Sequence, residues 1–336
     1  MKLLLLLKKK LPKAVVEKLR IVKGYFNSYR LFELDRKRFL TYFSKKNSNK
    51  EENIKAQLIF YGHSIEKGLS RQNIRLGFGK SVVIKLLEYM EKYDKLGFDK
   101  QNYCYLNSIS IMRKYTELHE QNYFDLDYIP IRYNGMLNKI KESNTEVGGI
   151  VEFDLKSRLN RKEVDFKYLA LNRYSIRDYD SSDVDLGMLN EAIEIALKSP
   201  SVCNRQSARV YVINDKKEIK ELLNIQGGFN GYELPPCLIL VTSDIQDFID
   251  ISERNQPYID GGIFAMSLIY ALEYQGFATC TLNTMFDSKK MKKTRNLLGI
   301  PESENLIVYI SVGNFKNKYS VPKSFRYPMS EITKYR

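Results

Sequence analysis

Residues 185–213 read DLGMLNEAIEIALKSPSVCNRQSARVYVI. Asp185 is a residue type that caps helix starts. Leu186, Leu189, Ile193, Ala196 and Leu197 then recur at three- and four-residue intervals and give the helix one apolar face. Ser199-Pro200-Ser201 ends it in a polar turn, and beyond the turn Val210 and Val212 alternate about Tyr211 as a strand does.

Working outward, the same alternation holds from about Asp165 to the end of the chain. Residues 216–223 return to helical spacing, and 237–242 (CLILVT) form a continuous apolar run of strand length, as a buried strand requires. Residues 258–274 are long, apolar and rich in small residues (Gly261, Gly262, Ala265, Ala271), which predicts a buried helix. Residues 277–282 and 306–312 are further strands, with Gly299 and Pro301 ending the helix between them. Helices packed on a sheet, an α+β fold, follow from this order.

The upstream half is different. Residues 81–93 place Val82, Leu86, Tyr89, Met90 and Tyr93 at helical spacing, and the first 150 residues read as mainly helical. Residues 143–149 (SNTEVGG) are a linker by composition, followed by a polar connector to about Asp165. The expected organisation is a basic arm over 1–50, a helical region over 51–150 that carries HSIEKGL, and a domain over 165–336.

The 336 residues carry a net charge of +14. Fifteen Lys or Arg stand against Glu17, Glu33 and Asp35 in residues 1–50, which leaves that arm at +12 and the other residues at +2. A nearly balanced body argues against a nucleic-acid-binding protein. Residues 3–7 are leucines, far fewer than the roughly 20 apolar residues a membrane span needs. Residues 8–38 mix bases with apolar side chains in the manner of an amphipathic helix, which leaves two readings: docking on an anionic membrane surface, or packing on the protein itself. Cys104, Cys203, Cys237 and Cys280 form no CxxC pair, and with only His63 and His119 beside them no metal site is expected. Unpaired cysteines predict a cytoplasmic protein.

Two clusters carry chemistry. Arg173-Tyr174-Ser175-Ile176-Arg177 puts two guanidiniums and a hydroxyl within five residues, which suits a phosphate and a ring that becomes anionic. Ser199-Pro200-Ser201-Val202-Cys203-Asn204-Arg205-Gln206 offers hydroxyls and amides from a turn. Competing readings are surface ion pairs of Arg173 and Arg177 with Asp178, Asp180 or Asp183, and plain turn chemistry at Asn204 and Asn230. Gly79-Lys80-Ser81 mimics the end of a phosphate-binding loop, but Ile74 stands where that loop needs glycine.

Taken together, residues 165–336 resemble the nitroreductase family of flavin enzymes. The likeness runs through Arg-x-Ser-x-Arg at 173–177, Ser-Pro-Ser-x-x-Asn-x-Gln at 199–206, Gly228-Phe229-Asn230, Asp260-Gly261-Gly262, Gly276 to Cys280, and Val312-Gly313 with a tail to Arg326. The resemblance implies a sandwich with a central, mostly antiparallel sheet flanked by helices, a homodimer, and FMN at the subunit interface with NAD(P)H as co-substrate. It implies that Arg173 and Ser175 hold the FMN phosphate with help from Arg326, that Tyr174 and Gln206 are also cofactor-binding, and that Arg177 lies near N1 and the C2 carbonyl. Pro200, Ser201 and Asn204 would come from the partner subunit, Asn230 would meet the pyrimidine edge, and the backbone at Thr281 and Leu282 would approach N5 and O4. Glu233 and Ser207-Ala208 depart from the family's usual residues, where ring and substrate would sit.

The segment from Tyr61 to Ser70, continuing to Arg75, resembles the N-terminal extension of longer nitroreductase-like proteins that accompany bacterial surface-polysaccharide assembly. Within it, a helix over 57–67 puts His63 on one face with Glu66 and Lys67, and Gly68 is placed to end it. His63, Glu66, Lys67 and Arg75 are therefore a candidate substrate-facing cluster, or else a capped helix end. The expected activity is FMN-dependent NAD(P)H oxidoreduction of a small organic acceptor. The alternative is a flavin-free adaptor at the membrane surface of a polysaccharide-assembly complex.

Overall fold

Aspartates that the sequence places before apolar runs do begin helices. The Asp185 carboxylate accepts from the Gly187 and Met188 amides at 2.7 and 3.1 Å, and Asp165, Asp215 and Asp287 cap three others in the same way. Each cap satisfies amides that have no intrahelical partner and contributes about 1 kcal/mol.

The computed structural model describes residues 12–42, 47–155, 162–249 and 251–336. The leucine and lysine runs at 3–10 lie outside the described residues, as do 156–161 of the expected connector. The helical half holds α1 (Lys13–Tyr42), α2 (Glu51–Leu69), α3 (Lys80–Lys95), α4 (Tyr103–Gln121) and α5 (Asn134–Glu142). Then follow β1 (Ile150–Asp154), α6 (Phe166–Leu171), α7 (Leu186–Ala196), β2 (Ala208–Ile213), α8 (Lys216–Gln226), β3 (Cys237–Asp244) and α9 (Gln256–Tyr274). The chain closes with β4 (Phe277–Asn283), α10 (Ser288–Leu298), β5 (Glu304–Asn314), β6 (Lys318–Pro322) and α11 (Met329–Ile332). None of the described helices is long and apolar enough to cross a membrane.

The fold is α+β. Strands β2-β3-β5-β4, in that order, form an antiparallel sheet, and β1 pairs antiparallel with β6. The apolar run of β3 is explained by layers on both of its faces. Cys237, Ile239 and Val241 meet Leu189 and Ala192 of α7 and Phe264, Leu268 and Leu272 of α9. Leu238 and Leu240 point the other way, toward Ile219 and Leu222 of α8 and toward Tyr319 and Val321 of β6. A third core joins Ile54, Leu58 and Ile65 of α2 to Leu86 and Met90 of α3 and Ile111 of α4. Side chains buried this fully contribute roughly 1.5–3 kcal/mol each.

Four local expectations are revised. The stretch at 143–149 has a linker's composition but is pinned: Arg113 donates to the Ser143 and Thr145 carbonyls at 2.7 and 3.1 Å, and the Gly149 amide donates to Glu66 at 2.9 Å. The start of the polar connector is β1, whose partner β6 lies far along the chain and is invisible to a local reading. Gly68 does not end α2; a β-carbon there would overlap the Phe78 ring, so the glycine serves packing. In α7 and α9 one side stays open: Leu186, Leu197, Tyr258, Ile259, Ile263 and Met266 are exposed in the single chain.

Helix α1 is mostly exposed over residues 13–37, with Val15, Leu19, Val22, Phe26 and Tyr29 open to solvent. It meets the body near its C-terminal end, where Arg254 bonds Asp35 at 2.9 Å.

Candidate functional site

Extended backbone sends alternate side chains to opposite faces, and this explains the spacing of Arg173, Ser175 and Arg177. Ser175 bridges to Thr279 in parallel sense, and the Ile176 amide donates to the Thr279 carbonyl at 2.8 Å, so the segment runs beside the edge strand β4. Tyr174 and Ile176 turn into the core, with the Tyr174 ring 5.3 Å from that of Phe153. The two arginines and the serine occupy the other side. Two residues on, the buried Tyr179 hydroxyl donates to the Ile176 carbonyl and lies against Ser311 Oγ, both at 2.7 Å, and fixes the segment.

Two of the three acids that could have neutralised these arginines are engaged elsewhere. Asp178 takes Lys316 at 2.6 Å, and Asp180 accepts the Ser182 amide at 3.0 Å. Arg177 makes one long bond of 3.5 Å to the Ser175 carbonyl, and among the described residues Arg173 has no partner. Arg173, Arg177 and Lys67 all lie within electrostatic reach of the buried Cys280 thiol, which burial pushes up despite them. Burial first, then the Arg177 and Arg71 guanidiniums, hold the Lys67 ammonium below the ordinary lysine range. Like charges at close range repel by on the order of 1–4 kcal/mol per pair at an effective protein dielectric. Such a cluster fits an anion.

Lys67 and Arg71 reach this place because the end of α2 docks on the 227–232 loop. The Tyr232 hydroxyl donates to the Lys67 carbonyl at 3.0 Å, and Arg71 donates to the Asn230 carbonyl at 3.0 Å while lying over the Tyr232 ring at 5.0 Å. Gly231 has a φ of +81°, and a β-carbon there would sit 2.7 Å from the Arg71 guanidinium. The positive φ favours glycine, and the guanidinium packs into the space that the missing β-carbon leaves.

The second cluster is a strained turn at the far end of α7. Cys203, Asn204 and Gln206 have φ of 49°, 54° and 51°. Non-glycine residues in that region cost on the order of 1–3 kcal/mol each, least for asparagine. The turn is held from three sides: Ser201 Oγ accepts the Gln206 amide at 2.9 Å, Asp260 accepts the Val202 amide at 3.1 Å, and Arg205 pairs with Glu253. Ser199, Pro200, Ser201 and Gln206 line a small hollow with Asp260 and Phe264.

The two clusters stand at diagonal corners of the sheet. Ser175 flanks β4, whose Thr279 lies in register with Val312 and, through it, Cys237 of β3. Ala208, just after the turn, opens β2 at the opposite edge, in register with Ser243. From Ser175 to Ala208 the offset is four strand spacings across, about 19 Å, and six residues along, about 20 Å. Within one chain they cannot share a crevice.

The remaining candidates scatter. Thr281 is exposed on β4, whereas Leu282 is buried. Asn230 is exposed and donates to the Gly227 carbonyl at 3.1 Å. Exposed Arg326 bonds the carbonyls of Ser324 and Phe325. Glu66 is buried and accepts the Gly149 amide, with His63 Nδ1 3.4 Å from its other oxygen and from Ser324 Oγ. That pair joins the C-terminal tail to α2. Arg75 is exposed in a turn. Of the four polar residues in the extension, Lys67 alone joins the arginines. Two residues were not among the site candidates: Asp260, read only as the start of a motif before an apolar helix, and Arg71, whose role no local signal could disclose.

Residues 170–232 match the family model described as the nitroreductase family. An NADH dehydrogenase of Thermus thermophilus is 32% identical over 99 residues, 29% of this chain and 48% of that protein, so the chain spans about half the length of this relative. An iodotyrosine deiodinase of Nematostella vectensis is 23% identical over 210 residues, 54% of this chain and 78% of that one. Among solved structures, an FMN-dependent nitroreductase of Clostridium difficile R20291 is 21% identical, with 49% of this chain and 94% of the other aligned at a TM-score of 0.41. A nitroreductase family protein of Streptococcus pneumoniae TIGR4 gives 21%, 51%, 100% and 0.44 for the same measures.

Proposed function

We propose that this chain, a nitroreductase-family protein by its residues 170–232, is an FMN-dependent NAD(P)H oxidoreductase that works as a homodimer. The observation that carries the reading is the cluster of Arg173, Arg177 and Lys67 without acidic partners at the edge of β4. Its chemistry fits a ligand with a dianionic phosphate and a ring that gathers negative charge.

When bound, FMN supplies hydride transfer from a nicotinamide to an acceptor, and the protein supplies position and field. Arg173 and Ser175 hold the phosphate, the guanidinium by paired N–H donors and the serine by its hydroxyl. Arg177, two residues further along the same face, stands as a fixed cation at the pyrimidine edge and stabilises charge where it accumulates. Asn230 and the Thr281 backbone border the ring.

Two copies are required because the second cluster lies at the diagonal corner. The partner's turn at 199–206 would close the crevice, bringing Pro200, Ser201 and Asn204 to the cofactor. The open apolar sides of α7 and α9 support such an interface: Tyr258 is 54% exposed and Ile259 51% in the single chain. Strain held in the turn is then spent on a preorganised contact surface.

An absorbance spectrum of the purified protein tests the reading. A flavin spectrum that bleaches on titration with NADH or NADPH is expected. Colourless protein that takes up no added FMN would refute it.

A further inference from the structure

Helix α2 belongs to the N-terminal region, outside the matched residues 170–232, yet its last turn is built into the cationic cluster. Its end is tied at both the Lys67 carbonyl, by Tyr232 and by Ser70 at 3.0 and 3.2 Å, and the Arg71 side chain, by Asn230. The Arg71 Nε is buried without a hydrogen-bond partner. Lys67 is half-buried and has no acidic partner among the described residues, its carbonyl is held by Tyr232 and the neighbouring Arg71 by Asn230 of the same loop, and Arg177 is a charged neighbour. It therefore stands at the Arg177 and Asn230 end of the cluster, away from the end assigned to the phosphate.

We propose that Lys67 is a cofactor-binding residue contributed by the N-terminal helical region, the second cation at the pyrimidine edge of the flavin. This rests on the flavin reading above. Two cations there, Lys67 and Arg177, favour negative charge on the ring and so bind the cofactor more tightly after two-electron reduction than before it. Arg71 acts through position: it pins the 227–232 loop against α2 and keeps the lysine from withdrawing into solvent. Burial and the arginines beside it disfavour the Lys67 charge in the empty site, and an anion bound among them compensates it. The helical region is thus a wall of the crevice, and the redox property of the cofactor depends on it.

The test uses the full-length protein and its Lys67→Met, Lys67→Gln and Lys67→Arg variants. FMN affinity is measured by fluorescence titration of the apoprotein and the midpoint potential by equilibration with a reference dye. For Met and Gln we expect about tenfold loss of the preference for reduced over oxidised cofactor, a fall of about 30 mV in the two-electron potential. Arginine, which keeps the charge, should restore most of the shift. Folded Met and Gln variants that bind FMN at an unshifted potential overturn the role of Lys67 and leave the flavin reading standing. Failure of the wild-type protein to take up FMN overturns both.

Discussion

Arg173 and Arg177 share one side of an extended segment, and the division of labour between them is measurable. A charge-assisted hydrogen bond contributes about 1.5–3 kcal/mol, so Arg173→Ala should weaken FMN binding by roughly ten- to a hundredfold. Arg177→Ala should act mainly on the potential, lowering it while oxidised FMN is held nearly as well. Titration of the two apoproteins, followed by potentiometry, decides this; wild-type behaviour in both would reject the assignments. The arginines were legible because two guanidiniums and a hydroxyl fall within five residues in an Arg-x-Ser-x-Arg signature, whereas the turn of Tyr174 and Ile176 into the core was not. Whether they were surface ion pairs was not legible. That depended on Lys316, far along the chain, removing Asp178 from contention.

Elements whose signals are local came through with their bounds nearly intact: capped helices, the apolar run of β3, the glycine after α10 at φ +65°. Elements defined by a distant partner did not. β1 reads as a polar connector because its alternation spans five residues and its mate is β6. A pH prediction belongs at this scale, since it concerns phenols packed between elements. Burial pushes Tyr105 of α4 and Tyr309 of β5 from 10.0 to about 12. The native state then keeps protons that the unfolded chain releases between pH 10 and 12, so stability is intact below this window and falls as pH rises through it. Each phenol contributes up to roughly 2.7 kcal/mol. Denaturant midpoints at stepped alkaline pH should drop across that interval, with exposed phenols such as Tyr123 ionising in the folded protein and the buried share of the phenolate absorbance appearing only as the fold is lost; ionisation of Tyr105 and Tyr309 near 10 without unfolding would contradict it.

At the scale of the whole molecule, the sheet keeps its two functional corners apart and leaves the apolar sides of α7 and α9 uncovered. One interface answers both facts. The protein should run in solution at twice its 39.3 kDa. Ile259→Lys with Ile263→Lys, placed on the exposed side of α9, should yield a folded monomer whose FMN affinity falls at least tenfold. Light scattering and flavin titration on the same sample link the two losses. A monomer that retains the cofactor fully would separate them and remove the partner's turn from the crevice.

The amino-acid sequence alone determined the alternation of helices and strands from 165 onward, the helical character of 51–150, and the residue types that gather at the arginine face. Those properties rest on caps, periodicity and turn chemistry, which act over a few residues. Tertiary structure alone decided that the 143–149 stretch is clamped, that Asp178 is engaged, that the turn at 199–206 stands diagonally opposite Arg173, and that Lys67 reaches Arg177. These are contacts between positions up to 165 residues apart, and no local interaction energy records which distant side chain will arrive.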